Sequence, residues 1–191
     1  VQKPHPPIWV PGTASPATAE WCARHGYTYV AFLTPLDVTE DLFQIYRTAA
    51  SAAGYQTTSD NFGYLICCYV GETQEQADEE ARNFIWRMGT TTRGPREYMN
   101  PVGYRSQAGE QVAARRAVRP LIQQSFEELK ENYHIVCGTP ETVLEKLEYL
   151  HTRLGMEHLI FYGQESRMSH KATMTNIGLF GKEVLPIIQK W

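Results

Sequence analysis

The residues with the most chemical promise lie in one short turn, Val10-Pro11-Gly12-Thr13-Ala14-Ser15-Pro16. An apolar run, Ile8-Trp9-Val10, stops there. Ser15-Pro16 then reads as a helix start, with serine as N-cap and proline at the first helical position. Such a turn leaves a strand at its C-terminal end and enters a helix. It offers unpaired N–H groups and the positive end of the helix dipole, which is a setting for a phosphate. Gly12 permits close backbone approach, and Ser15 and Thr18 place hydroxyls on the first turn. The same pattern also describes a plain helix cap, so spacing alone leaves both readings open.

Other groups carry weaker signals. Segment 89–119 holds Arg93, Arg96, Arg105, Arg115, Arg116 and Arg119 against Glu97 and Glu110, with Asn100-Pro101-Val102-Gly103-Tyr104 as a turn-like tip. Without periodicity it reads as a long loop, either a solvated basic one or a functional or mobile one. Glu72, Glu75, Asp78, Glu79 and Glu80 suit a helix start and a solvated face rather than a metal. The six histidines show no HxH or HExxH spacing, and the four cysteines (22, 67, 68 and 137) form no CxxC pair. No metal site is therefore expected, and the cysteines read as buried free thiols of a reducing, cytoplasmic setting. His158 opens the last strand and reads as a packing or surface residue; Tyr162 and Gly163 close it, with Tyr162 as a pocket wall or a packing ring. Trp9, Trp21 and Trp86 read as core or helix-packing residues.

These residues need a scaffold, and the chain alternates strand and helix to provide one. Strands are predicted at 8–10, 29–33, 64–70 and 158–163. A helix opens at Ser15 with Ala19, Cys22 and Ala23 on one face and closes at Gly26. A second opens at Thr39 with Leu42, Ile45, Tyr46 and Ala49 inward and stops at Gly54. Thr73 and Gln76 form a capping box for a helix from Gln74 to about Met88, and 107–131 looks helical. Thr139-Pro140 repeats the cap-plus-proline start, followed by a stripe of Val143, Leu144, Leu147, Leu150 and Leu154 that ends at Gly155. The last helix carries Ile177, Phe180, Val184 and Ile188, with a kink or break at Pro186.

The 191 residues suffice for one domain, 1–191, with a substantial core. A net charge of −3 gives no drive toward nucleic acid or an anionic membrane. A 42% hydrophobic, 12% aromatic composition excludes a disordered chain. No window approaches the ~18 apolar residues of a membrane span. The opening Val-Gln-Lys-Pro-His-Pro-Pro lacks the apolar region of a signal peptide. The first methionine is Met88, so the sequence reads as a fragment or a processed product. Four strand–helix units imply a parallel α/β sheet, either doubly wound or half of a (β/α) barrel. Half a barrel leaves edge strands open, which points to an oligomer.

One family accounts for the order of these pieces. Gly12-Thr13-Ala14-Ser15-Pro16-Ala17-Thr18-Ala19-Glu20-Trp21-Cys22-Ala23-Arg24-His25-Gly26 resembles a segment of the bacterial luciferase-like flavin monooxygenases. Lys3 to Val10 is similar to that family's approach to its fifth barrel strand. Gly138-Thr139-Pro140-Glu141-Thr142-Val143 resembles its late helix start, and His158 to Gly163, Leu179-Phe180 and Glu183-Val184-Leu185-Pro186 resemble its last strand and helix. The resemblance implies a TIM (β/α)8 barrel, of which this chain is the C-terminal half, about four units, with 89–119 as an inserted mobile lid. It implies FMN, or a related reduced flavin or deazaflavin. The phosphate would lie against Ala14, Ser15 and Thr18, with Gly12 and Thr13 lining the approach. Some relatives carry a carboxylate where Ala14 stands. The implied activity is oxygenation of a small organic substrate with reduced flavin and O2, the flavin delivered by a separate reductase. The family's catalytic histidine belongs to the other half of the barrel, so no catalytic residue is assigned here. Two alternatives stay open: a non-catalytic flavin-binding or accessory protein, and a doubly wound sheet binding another phosphate ligand.

Overall fold

A computed structural model of the chain describes residues 3–85 and 123–191. In chain order it runs β1 (Trp9–Gly12), α1 (Pro16–His25), β2 (Thr28–Phe32), α2 (Leu36–Ala52), a 3-10 turn (Ser59–Asn61), β3 (Phe62–Val70), α3 (Gln74–Ala81) and α4 (Phe126–Glu131). It continues with β4 (Ile135–Gly138), α5 (Pro140–Leu154), β5 (His158–Tyr162), α6 (His170–Leu179), a π turn (Phe180–Val184) and α7 (Leu185–Ile188). The described residues form two compact units: 3–65 with 154–160, and 66–85 with 123–153 and 161–191.

In the first unit β1, β2 and the start of β3 pair in parallel, with Gly12 opposite Ala31 and Ala31 opposite Tyr64. β5 also pairs with β3. Parallel neighbours require crossovers, and α1 and α2 supply them. Ala19, Cys22 and Ala23 are buried under α1 as their spacing predicts. Gly26 ends α1 in the left-handed conformation (φ 66°), its N–H and that of Tyr27 closing on the carbonyls of Ala23 and Cys22. α2 starts at Leu36, three residues before the predicted Thr39, whose hydroxyl instead meets that of Thr34 at 2.7 Å. The helix is also rotated from the predicted face. Phe43 and Ala50 are buried, whereas Ile45 and Ala49 are only half-buried. The rotation seats Phe43 against Phe62, with ring centroids 4.6 Å apart, and lets the Tyr46 hydroxyl donate to the Tyr27 carbonyl at 2.9 Å. Of the expected core or helix-packing roles, Trp9 and Trp21 take no core one: each is 45% exposed, Trp9 against His158, and Trp21 against His25 of its own helix and Tyr27.

In the second unit Cys67–Val70 of β3 pair in parallel with all of β4. β4 has no counterpart in the predicted strands, because three apolar residues between His134 and the Gly138-Thr139 cap are too short a run to stand out. Of the predicted helix 107–131, the described part begins only at Phe126, where Ser125 and Glu128 form a capping box. α3 is assigned to Ala81, and Trp86 and Met88 lie outside the described residues. The α5 stripe is buried at Val143, Leu147, Leu150 and Leu154. Before Pro186 the last helix widens into the π turn. α7 then runs through Pro186 without a break at the proline itself; the departure from α geometry lies in the turn just before it, consistent with an N–H that proline cannot supply. All four cysteines are buried free thiols. Among the described residues no helix is long and apolar enough to cross a membrane.

Candidate functional site

The β1–α1 turn lies wholly in the first unit and brings Gly12, Thr13, Ala14, Ser15 and Thr18 together. Gly12 is buried, Thr13 is exposed, and the other three are half-buried. Ser15 caps α1 from an extended backbone (φ −95°, ψ 109°), its Oγ accepting from the Thr18 N–H at 3.4 Å. The N–H groups of Thr18 and Ala19 also reach the Ser15 carbonyl. Pro16 has no amide hydrogen, and among the described residues the Ala17 N–H of the first turn makes no hydrogen bond. No acidic residue sits in that turn to offset the helix dipole. Ala14 holds φ 62°, a left-handed conformation that a side chain disfavours. Leu33, just after β2, does the same at φ 48°. Strained backbone therefore marks the C-terminal ends of both strands, where α/β folds place their ligands.

Beneath the turn lies Tyr29 of β2, fully buried. A β-carbon added to Gly12 would collide with its ring tip and hydroxyl, so the phenol fills the place of the side chain that glycine lacks. Among the described residues the hydroxyl has no hydrogen-bond partner. Burial, with a smaller effect from Cys22, pushes its pKa up, so it stays a neutral donor. Its counterpart one strand on is satisfied: Tyr64 of β3 donates to the Thr34 carbonyl in the β2–α2 turn at 2.8 Å. Strand alternation puts Tyr29 with Ala31 on one side of β2, but nothing in the sequence marks its hydroxyl as unsatisfied.

In the second unit Tyr162, half-buried at the end of β5, donates to Glu165 Oε2 at 3.4 Å. Glu165 is 2% exposed, and its Oε1 accepts from the Ser166 N–H and hydroxyl at 2.6 and 2.8 Å. The acidic start of α3 is not all solvated, as the sequence suggested. Asp78 accepts from Gln74, Lys130 and the Cys137 thiol, at 2.8, 3.2 and 3.3 Å. The basic segment 89–119 lies outside the described residues.

The turn after the first strand, the late cap-plus-proline start and the parallel α/β order stand together in a known sequence pattern. The sequence model of the luciferase-like monooxygenases matches residues 1–158. The chain belongs to the luciferase-like monooxygenase family. An uncharacterised protein, y4vJ of Sinorhizobium fredii, is 24% identical over 192 aligned positions, covering 100% of this chain and 52% of the relative. Monooxygenase RslO1 from Streptomyces bottropensis shares the fold with a TM-score of 0.64 and 23% identity, over 97% of this chain and 49% of that one. A type II Baeyer-Villiger monooxygenase, the oxygenating constituent of the 3,6-diketocamphane enzyme of Pseudomonas putida in complex with FMN, gives 0.63 and 21%, over 95% and 48%. This luciferase-like chain thus spans about half the length of each relative. A parallel α/β fold matching luciferase-like proteins at half their length agrees with the expectation of half a (β/α)8 barrel.

Proposed function

We propose that this chain is the flavin-phosphate-gripping half of a flavin-dependent monooxygenase that oxygenates a small organic substrate. The observation that carries the reading is the β1–α1 turn: a serine-capped helix start with an open amide and no acidic residue, at the end of a parallel strand in a luciferase-like chain. FMN, or a related deazaflavin, fits that donor set. Thr13, Ser15 and Thr18 offer hydroxyls, Ala17 offers its N–H, and the bare backbone of Gly12 admits close approach. When bound, the reduced flavin supplies the reaction with O2.

The chain's own part is to hold the phosphate, and so to fix where the ring lies. The dipole of α1 favours the dianion over a neutral tail. In this reading residues 89–119 serve as a lid that excludes water. A separate reductase supplies reduced flavin, and the rest of the barrel supplies the proton-transfer group.

Binding and turnover test different parts of the reading. Quenching of flavin fluorescence should show that the chain prefers FMN to riboflavin, which differ only in the phosphate. Equal affinity for the two removes the phosphate site. Reduced FMN, O2 and a substrate panel then give oxygenated product from the monooxygenase. Binding without product, from a chain joined to its remaining barrel half, makes it the accessory flavin-binding protein instead.

A further inference from the structure

We infer that the Tyr29 hydroxyl is a direct hydrogen-bond donor to the anion held at the β1–α1 turn, and so a specificity-determining residue for a phosphate-bearing ligand. The inference rests on the turn being the phosphate site. It adds a residue from a different strand, which the turn's own sequence does not supply.

Three observations carry it. First, the phenol is fully buried and, among the described residues, without a hydrogen-bond partner. A buried polar atom left unpaired is costly, and native structures rarely keep one without a ligand or water to satisfy it. Second, its tip lies where a Gly12 side chain would be, at the mouth of a ten-residue helix whose first turn has an open amide. Third, the fold contains its own control. Tyr64 reaches under the next strand–helix turn in the same way, and there the hydroxyl closes on the Thr34 carbonyl. Under the turn after β2 the phenol has a protein partner, whereas under the turn after β1 the corresponding hydroxyl has none among the described residues. A neutral phenol kept protonated by burial donates to an anion and has no charge of its own to repel it.

The test compares the 191-residue chain with Tyr29→Phe, using FMN, riboflavin and inorganic phosphate as probes. Losing one hydrogen bond to a charged group should weaken FMN binding about tenfold or more, with riboflavin affinity unchanged. The thermal midpoint without ligand should hold or rise, since the substitution removes an unpaired polar atom. The upward shift of that midpoint produced by inorganic phosphate should shrink. If Tyr29→Phe keeps the FMN affinity while the parent prefers FMN to riboflavin, the inference fails and the phosphate site stands. If riboflavin and FMN weaken equally, or the ligand-free midpoint falls, Tyr29 is a packing residue and the inference fails. If the parent itself shows no preference for FMN, the site reading fails first and takes the inference with it.

Discussion

Ala14 is held at φ 62°, where its methyl group crowds the carbonyl that follows. Glycine has no such penalty, so Ala14→Gly should stabilise the chain by about 0.5–1 kcal/mol, read as a higher midpoint in thermal denaturation. Gly12 behaves oppositely. Its place is filled by the Tyr29 ring tip, so Gly12→Ala must push aside a fully buried aromatic at about 1–3 kcal/mol, and should weaken FMN binding with it. The Asp78 carboxyl carries a pH dependence. Partial burial works against its charge, but hydrogen bonds from Cys137, Gln74 and Lys130, with the charge of Lys130, win and hold its pKa below the ordinary carboxylate value. A depressed folded-state pKa means that the native state favours the ionised form. The contribution is complete above the unfolded pKa of about 4 and is lost as pH falls through the lower folded value. Asp78→Asn should therefore flatten the fall in stability below about pH 4 in an acid denaturation series. An unchanged acid limb would remove Asp78 from the account.

At the scale of elements, α6 shows how a polar residue in a core misleads a hydrophobic pattern. The spacing puts Ile177, Phe180 and Val184 inward. The structure buries Ala172, Asn176, Phe180 and Val184 and leaves Ile177 49% exposed. Asn176 takes the inner place because it closes three backbone groups: its Nδ2 donates to the carbonyls of Cys68 and Gly163 at 2.9 and 2.7 Å, and its Oδ1 accepts from the Val70 N–H at 2.7 Å. It thereby ties α6 to the ends of β3 and β5. Asn176→Ala strands all three groups and should cost about 3 kcal/mol, measured by urea unfolding. Local signals placed α1, α5 and the start of α3 well, since caps, prolines and apolar stripes act within a turn or two of the residues that carry them. The rotation of α2 was not legible because it is set by Phe62, on a strand distant in sequence. The candidate turn, Gly12 to Ser15 with Thr18, could be proposed from the sequence for the same local reason as α1. Tyr29 was not, because its importance lies in a hydrogen bond that it does not make.

At the scale of the whole chain, charge and exposed apolar surface act together. Ile8, Trp9 and Phe32 are 38%, 45% and 39% exposed, all at the β1–β2 side of the first unit. β1 ends the strand order and is paired on one side only among the described residues. An open edge beside apolar side chains favours association unless charge opposes it. The net charge of −3 at pH 7 offers little opposition, and with a pI of about 6.1 it vanishes near pH 6. The 191-residue chain should therefore self-associate in sedimentation velocity, more at pH 6 than at pH 8. Ile8→Lys, next to the edge strand β1, should reverse this by adding charge and removing apolar area at the edge, and Phe32→Lys, on the inner strand β2, should weaken it by removing exposed apolar area. Raising the salt separates the two causes: screening strengthens association if residual repulsion was limiting, and leaves it unchanged if the apolar edge alone decides. A monomer at both pH values, in high salt and at high protein concentration, would show that this edge is closed within the chain itself, and would count against reading it as half of a larger barrel.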